Sequence, residues 1–216
     1  VSKILITSGP TRQYLDPVRY LTNASSGRMG AALAGACLER GHEVIIISGP
    51  VSVAYPEGAE VVPVVTTAEM LARAVEIFPG CDGAIGAAAP CDYQPRQVAT
   101  SKIAKTGQPL TIELIETKDV VAELGATKKP GQWVVGFALE TDDRRFRSIV
   151  KLEKKHCDMM VSNGPEAIDS AENHVEVLAA DGELLDTISG GKEEVARRII
   201  DRIERHLIQP REGRQR

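Results

Sequence analysis

Thr22–Gly30 reads TNASSGRMG, and it lies between a short apolar run, KILIT (Lys3–Thr7), and the small-residue stretch GAALAGACLERG (Gly30–Gly41). Serines and glycines stand where a phosphate cradle carries them. KILIT reads as a buried strand closed by SGPT. GAALAGACLERG reads as a helix with Gly41 just past its end as a cap. EVIIIS (Glu43–Ser48) is a second strand. Outward from this unit, AEMLARAVEIF holds Met70, Leu71, Ala74, Val75 and Phe78 at helical spacing, and CDGAIGAAA (Cys81–Ala89) is a third strand rich in small residues. Strands alternating with helices of this length imply a parallel sheet with right-handed crossovers. The expected fold is α/β, doubly wound and mostly parallel, Rossmann-like.

The second half is less regular. Pro90–Pro109 has three prolines and no apolar period. A connection of about 20 residues is unusual in a compact domain and is often functional. LTIELIE (110–116) alternates like a half-exposed strand, and KDVVAELG (118–125) reads as a short helix. WVVGFALE (133–140) is a buried strand. DDRRFRSIVKLEKKHC (142–157) is a helix leading into the strand CDMMVSN (157–163). HVEVLAADGELLDTI (174–188) is a C-terminal β-hairpin turning at Asp181-Gly182, and 191–208 is a final amphipathic helix. The expected organisation is a single domain over 1–208 with a disordered tail at 209–216.

Composition narrows the function. The 216 residues suffice for a core without staples, and 43% hydrophobic with 26% charged residues is ordinary globular usage. Aromatics are 4%, which disfavours base-stacking platforms, and a net charge of −4 argues against a dedicated nucleic-acid binder. The four cysteines form no C-x-x-C pair, so neither a zinc ribbon nor a redox motif is expected, and a reduced, cytoplasmic setting fits. No apolar run approaches the length of a membrane span, and the first residues run into a strand without a signal-peptide pattern.

Ser25, Ser26, Gly27 and Gly30 sit at the start of the first helix, where unpaired N–H groups and the helix dipole favour an anion. The plainer reading is N-capping by Ser25 or Ser26, with Gly30 for close helix–sheet packing. S-G-R-M-G is not G-x-G-x-x-G, and the second strand ends in Ser48, not in the acidic residue of an NAD site. There is no Tyr-x-x-x-Lys pair and no Walker A sequence. Asp92 follows the third strand, where open parallel sheets bind ligands, though a lone Asp there is more often a turn residue. Lys102 and Lys105 lie in the long loop, where lysines are usually only solvated. Arg144, Arg147, Lys151, Lys154 and Lys155 follow offsets of 0, 3, 7, 10 and 11, one basic helix face. Solvation is the common meaning of such a stripe, but only Glu153 offers an acidic partner after Asp143 along the helix, which suggests an anionic ligand. No histidine has nucleophile-elbow or metal-ligand spacing.

ILITSGPTRQYLDPVRYLTNASSGRMG, ISGPV, AAAPCDYQP, KIAK, VVGFALETDD, DMMVSN and SGGKEEVARRII occur in that order. Together they resemble phosphopantothenoylcysteine synthetase, the ligase of coenzyme A biosynthesis, over roughly residues 3–207. In many bacteria this ligase is fused behind a flavin-dependent decarboxylase, a possible partner here. The resemblance implies that 4′-phosphopantothenate is activated by CTP as an acyl-cytidylate with loss of pyrophosphate. L-cysteine then forms the amide and CMP leaves. It also implies Mg²⁺ with the nucleotide, and a homodimer whose sites are shared between subunits.

By the same resemblance, Asn23 holds the acyl-nucleotide and serves its conversion to product. Gly9, Ser25, Gly27 and Gly30 match the phosphate-contacting turn and helix start, and Ala88 and Ala89 match a segment touching the intermediate. Asp92 matches a nucleotide- or substrate-binding carboxylate. Lys102 matches a lysine of a mobile flap that supports activation. Lys118, Asp119, Val120 and Val121 match a segment facing the base, and Phe137 matches an aromatic against the nucleotide. Lys151 and Lys155 match triphosphate lysines, and Asn163 a further nucleotide contact. The sequence departs from the bacterial pattern at Pro90-Cys91 (usually Val-Ala), at Ala104 (usually Lys) and at TKDV, 117–120 (usually NPDI). The last leaves an ATP-dependent ligase as an alternative. An NAD(P)-binding oxidoreductase and a non-catalytic nucleotide-binding module are the readings from other classes.

Overall fold

Ile4 and Ile6 face one side of the first strand and Leu5 the other, and all three are fully buried. A strand apolar on both faces must lie inside a sheet covered on both sides. The computed structural model, which describes residues 1–140, 142–164 and 172–209, has that architecture. The strands are β1 (Lys3–Ser8), β2 (Arg12–Asp16), β3 (Arg19–Thr22), β4 (Glu43–Ser48), β5 (Glu60–Pro63), β6 (Gly83–Gly86), β7 (Tyr93–Pro95), β8 (Leu114–Glu116), β9 (Trp133–Leu139), β10 (Met159–Asn163), β11 (Glu172–Ala179) and β12 (Leu184–Gly191). The helices are α1 (Arg28–Glu39), α2 (Thr67–Ile77), α3 (Val120–Thr127), α4 (Arg144–Lys154) and α5 (Lys192–Ile203).

Eight strands make one sheet in the order β12-β11-β10-β9-β6-β1-β4-β5. β5 to β10 across that sheet run parallel, and the β11–β12 hairpin closes one edge antiparallel. The chain leaves β1 toward β4 and β5, then returns to the opposite side of β1 as β6. The strand order therefore reverses between β1 and β6, and the crevice beyond their C-terminal ends is where such sheets bind ligands.

The two faces carry separate cores. Leu33 and Cys37 of α1 pack with Val195, Ile199 and Ile203 of α5 over Ile4, Ile6 and Val135. Met70 of α2, Leu124 of α3 and Leu152 of α4 cover Leu5, Ile47 and Val134 on the other face. Each such fully buried aliphatic chain contributes about 1.5–3 kcal/mol relative to exposure. α2 starts at a capping box: Thr66 Oγ1 accepts from Glu69 N at 3.1 Å, and Glu69 Oε2 accepts from Thr66 N at 3.2 Å. Among the described residues no helix is long and apolar enough to cross a membrane.

The expected α/β fold and all five helices are present, and the structure corrects one strand and adds others. The stretch before TNASSGRMG is an antiparallel hairpin, β2–β3. Its turn is held by Asp16, whose Oδ1 accepts from the N–H groups of Val18 and Arg19 at 2.9 and 2.8 Å. The long connection after β6 contains β7, which pairs antiparallel with β8, so only Leu114–Glu116 of LTIELIE is strand. An edge strand, β5, lies in 60–63, where a proline and a half-exposed pattern hide it. Residues 210–216, most of the expected tail, lie outside the described residues.

Candidate active site

The start of α1 forms one wall of the crevice. Gly27 is the N-cap at φ 75°, and no side chain caps the helix. The capping by Ser25 or Ser26 is therefore not found, and the first turn holds no acidic residue. The leading N–H groups of α1 remain available to an anion, aided by the helix dipole. Gly30 has a packing reason to be glycine: a Cβ there would fall 2.1 Å from Ser8 Oγ. The close approach sets α1 tight against the end of β1.

Asn23 follows β3 and reaches across to the loop after β6. Its Nδ2 donates to the carbonyls of Ala89 at 3.2 Å and Pro90 at 2.9 Å. The Ala89 N–H donates to the Gly9 carbonyl at 2.9 Å, and the Ser25 N–H to the Asn23 carbonyl at 2.9 Å. Four candidates from three separate segments, Gly9, Asn23 with Ser25, and Ala89, thus form one bonded group. Asn23 and Ser25 also line a cavity of about 350 Å³ with Arg12 and Tyr20. The Arg12 guanidinium stands 4.5 Å from the Tyr20 ring centroid.

A second cavity, of about 380 Å³, opens beside Ala88. Asp92 stands on one wall, residues 118–121 form another, and Phe137 and Lys155 complete it. Lys155 Nζ is 2.9 Å from Asp119 Oδ2, while Asp119 Oδ1 accepts from Ala122 N at 3.0 Å as the N-cap of α3. Burial pushes the Asp119 carboxyl up, but the Lys155 charge and the N–H groups of Ala122 and Val121 outweigh it and hold it below its ordinary value. Cys91 lies behind this wall, and burial pushes its thiol up. It is therefore not primed as a thiolate nucleophile. A wider groove of about 690 Å³ runs along α1 and α5, floored by Ala31, Ala32 and Gly35, and none of the candidate residues lines it.

Not every candidate converges. Lys102 is exposed on the long loop and lines neither cavity. That loop is pinned next to it, since Ile103 N donates to Asp16 Oδ2 at 3.1 Å and Arg19 Nη1 donates to Ile103 O at 3.0 Å. Lys151 is off the cavity wall, its Nζ 2.6 Å from Oε1 of Glu140, which is 8% exposed. Asn163 ends β10, and its carbonyl accepts from Glu140 N at 3.1 Å. The basic stripe is not unpaired, as its sequence neighbourhood suggested: Lys151 meets Glu140, Lys155 meets Asp119 and the adjacent Arg145 meets Glu176. The acidic partners come from other elements, which helical spacing does not reveal. Thr7, Tyr93, Thr117 and Lys154 line the second cavity and were not singled out as site residues. Thr7 was findable as a polar residue near the end of the first strand, and Lys154 as part of the stripe.

Comparison with known proteins agrees with this architecture. The DNA/pantothenate metabolism flavoprotein C-terminal domain family matches residues 1–207. The coenzyme A biosynthesis bifunctional protein CoaBC of Bacillus subtilis is 43% identical over 165 residues, 76% of this chain and 40% of that protein. The CoaBC protein of Vibrio parahaemolyticus is 36% identical over 206 residues, 93% of this chain and 51% of that one. This chain thus spans about half the length of the curated relatives it matches. The crystal structure of a CoaBC C-terminal domain superposes with a TM-score of 0.81 at 36% identity, covering 95% of both chains. By sequence and by fold, the chain belongs to the family of DNA/pantothenate metabolism flavoprotein C-terminal domains, in keeping with its resemblance to phosphopantothenoylcysteine synthetases.

Proposed function

We propose that this chain is a phosphopantothenate–cysteine ligase of coenzyme A biosynthesis, that CTP activates its acid substrate, and that it works in the cytoplasm as a homodimer. The observation that carries the reading is the bonded group Asn23–Ala89–Gly9, which stands between the uncapped start of α1 and the cavity of Asp92, Phe137 and Lys155. A ligase that joins an acid to an amine through an acyl-nucleotide needs such a junction. A carboxylate and an α-phosphate have to meet between two anion-binding regions.

In this reading the nucleotide lies in the second cavity, with its base against 118–121 and Phe137 and its phosphates toward Lys155. Lys151 supplies a second cation near the same helix end, and Asn163 adds a contact from the end of β10. The N–H groups at the turn and helix start of Gly9, Ser25, Gly27 and Gly30 take phosphate oxygens of the nucleotide. The substrate carboxylate attacks the α-phosphorus, the bond to the β-phosphate breaks, and pyrophosphate leaves. The cysteine amine then attacks the acyl carbon, and CMP leaves with the electrons of the acyl–oxygen bond. Asn23 and the backbone of Ala88 and Ala89 hold the intermediate between the two steps. Lys102 on the long loop stabilises charge at the α-phosphate during activation, which requires that loop to swing from its exposed position.

Among the described residues no cluster of three or more His, Cys, Asp or Glu is placed to hold a metal. Asp92 on the cavity wall suits an Mg²⁺ that arrives on the triphosphate and neutralises its charge. Exposed Val18 and Val98, on the hairpin and the loop pinned to it, favour cover by a second copy. Four free, buried cysteines suit a reducing compartment. An NAD(P) reading is disfavoured, because Ser48 stands where a ribose would be read and its Oγ lies 2.7 Å from Tyr55 OH.

The test is pyrophosphate release with 4′-phosphopantothenate and cysteine, with CTP and ATP side by side. Release with CTP, and amide product of the right mass, is expected. Release with ATP alone keeps the ligase and overturns the nucleotide. No release with either overturns the ligase in favour of a nucleotide-binding module.

A further inference from the structure

The peptide of Cys91 is held from both ends inside the protein. Its N–H donates to Thr11 Oγ1 at 2.9 Å, and its carbonyl accepts from Thr67 Oγ1 at 3.2 Å. Thr67 Oγ1 lies 2.8 Å from Thr11 Oγ1 and accepts from Gln13 Nε2 at 2.8 Å. Thr67 has one hydroxyl proton and gives it to Cys91, so Thr11 donates to Thr67. The bonds close a ring through Cys91, Thr11 and Thr67. Thr11, Gln13, Thr67 and Cys91 are all at most 5% exposed, so the ring fixes the loop that carries Ala88, Ala89 and Asp92.

Thr117 joins this ring from outside. Its Oγ1 donates to the Cys91 carbonyl at 2.7 Å, and its N–H donates to the Asp92 carbonyl at 2.8 Å. These bonds extend the β7–β8 pairing, whose last register pair is Tyr93 with Glu116. The residues that follow, 118–121, line the cavity together with Asp92. The Thr117 hydroxyl thus adds a side-chain tie to the backbone bonds that join the two segments. The two departures Pro90-Cys91 and Thr117-Lys118 meet at this bond.

We propose that Thr117 is a positioning residue that sets the nucleoside-base selectivity of the cavity, by fixing the 118–121 wall against the Asp92 loop. The proposal rests on the nucleotide reading above. A one-ring pyrimidine and a two-ring purine need different wall separations, so a hydroxyl that holds the separation separates the two bases. The Cys91 ring stays closed without it, because Thr67 still serves the carbonyl. Losing the hydroxyl loosens the base-facing wall and leaves the loop in place.

The experiment compares the wild type with Thr117→Val and Thr117→Ser. It measures CTP and ATP binding by calorimetry and pyrophosphate release with each nucleotide. In Thr117→Val the ratio of the two affinities is expected to move about tenfold toward one. Thr117→Ser, which keeps the donor, is expected to hold the wild-type ratio. An unchanged ratio in Thr117→Val, equal weakening of both nucleotides, or a serine chain that behaves like the valine chain overturns the proposal. If the valine chain does not fold, Thr117→Ala serves the same comparison. If the wild type binds nucleotide but releases no pyrophosphate, the ligase reading fails and the binding ratio still decides Thr117. If the wild type binds neither nucleotide, both fall.

Discussion

The two sides of the crevice are made differently. At the start of α1 the polar groups facing it are backbone N–H groups, held by the contact of Gly30 with Ser8 and by an N-cap that has no side chain. At the mouth of the second cavity they are side chains, Lys155 against Asp119 and Asp92 alone on its loop. A backbone site cannot be tuned by small steps: it is present if the helix sits against the strand and absent if it does not. A side-chain site is graded. Each cation can be removed singly, salt screens it, and pH acts on its partners.

The largest expected effect is at the junction of the two sides. In Asn23→Asp a carboxylate replaces the amide that donates to the Ala89 and Pro90 carbonyls, placing oxygen against oxygen. Amide product is expected to fall about 100-fold, the scale for losing one positioned donor. Pyrophosphate release should persist, since activation precedes the step Asn23 serves. Equal loss of both steps, measured in the same reaction, removes that role.

Next comes the backbone side. Gly30→Ala sets a methyl against Ser8 and is expected to cost about 1–3 kcal/mol in denaturant unfolding. Ser8→Gly in the same chain should recover most of that. If Gly30→Ala leaves stability unchanged, the close approach is not what holds α1 in place.

On the graded side, Lys155→Met is expected to weaken nucleotide binding about tenfold, ~1.4 kcal/mol, and to flatten its salt dependence. A loss independent of salt would mean that packing, not charge, is what Lys155 supplies. The smallest effect concerns acid. Asp119 is held below its ordinary value of 3.8, so its contribution to stability is present above that value and is lost as pH falls through the lower folded one. The side chain is 44% exposed, which limits the charge contribution to about 0.5 kcal/mol. Asp119→Asn keeps a capping oxygen and should lose that part of the acid dependence. Acid unfolding curves with the same slope in both chains would exclude the pair as its source.

Some of this was legible along the chain. KILIT, EVIIIS and WVVGFALE were readable as buried strands because each is apolar on both faces. TNASSGRMG was readable as a helix start because small residues precede a helical period. The β2–β3 hairpin was not, since its turn is held by the Asp16 side chain and its two strands are only four and five residues long. Nor were the partners of the basic stripe, because Glu140 and Asp119 lie on other elements and meet the helix only after folding.

The sequence by itself determined the alternation of the helices with the buried strands of the main sheet, the α/β class and the small-residue helix start. Those follow from local periodicity, which each segment carries alone. Only the tertiary structure decided that Asn23 bonds Ala89, that Lys155 is held by Asp119, and that Thr117 ties the wall of one loop to the peptide of another. These pairs stand 26 to 66 residues apart, and hydrogen bonds and ion pairs act over a few ångströms of space, not along the chain.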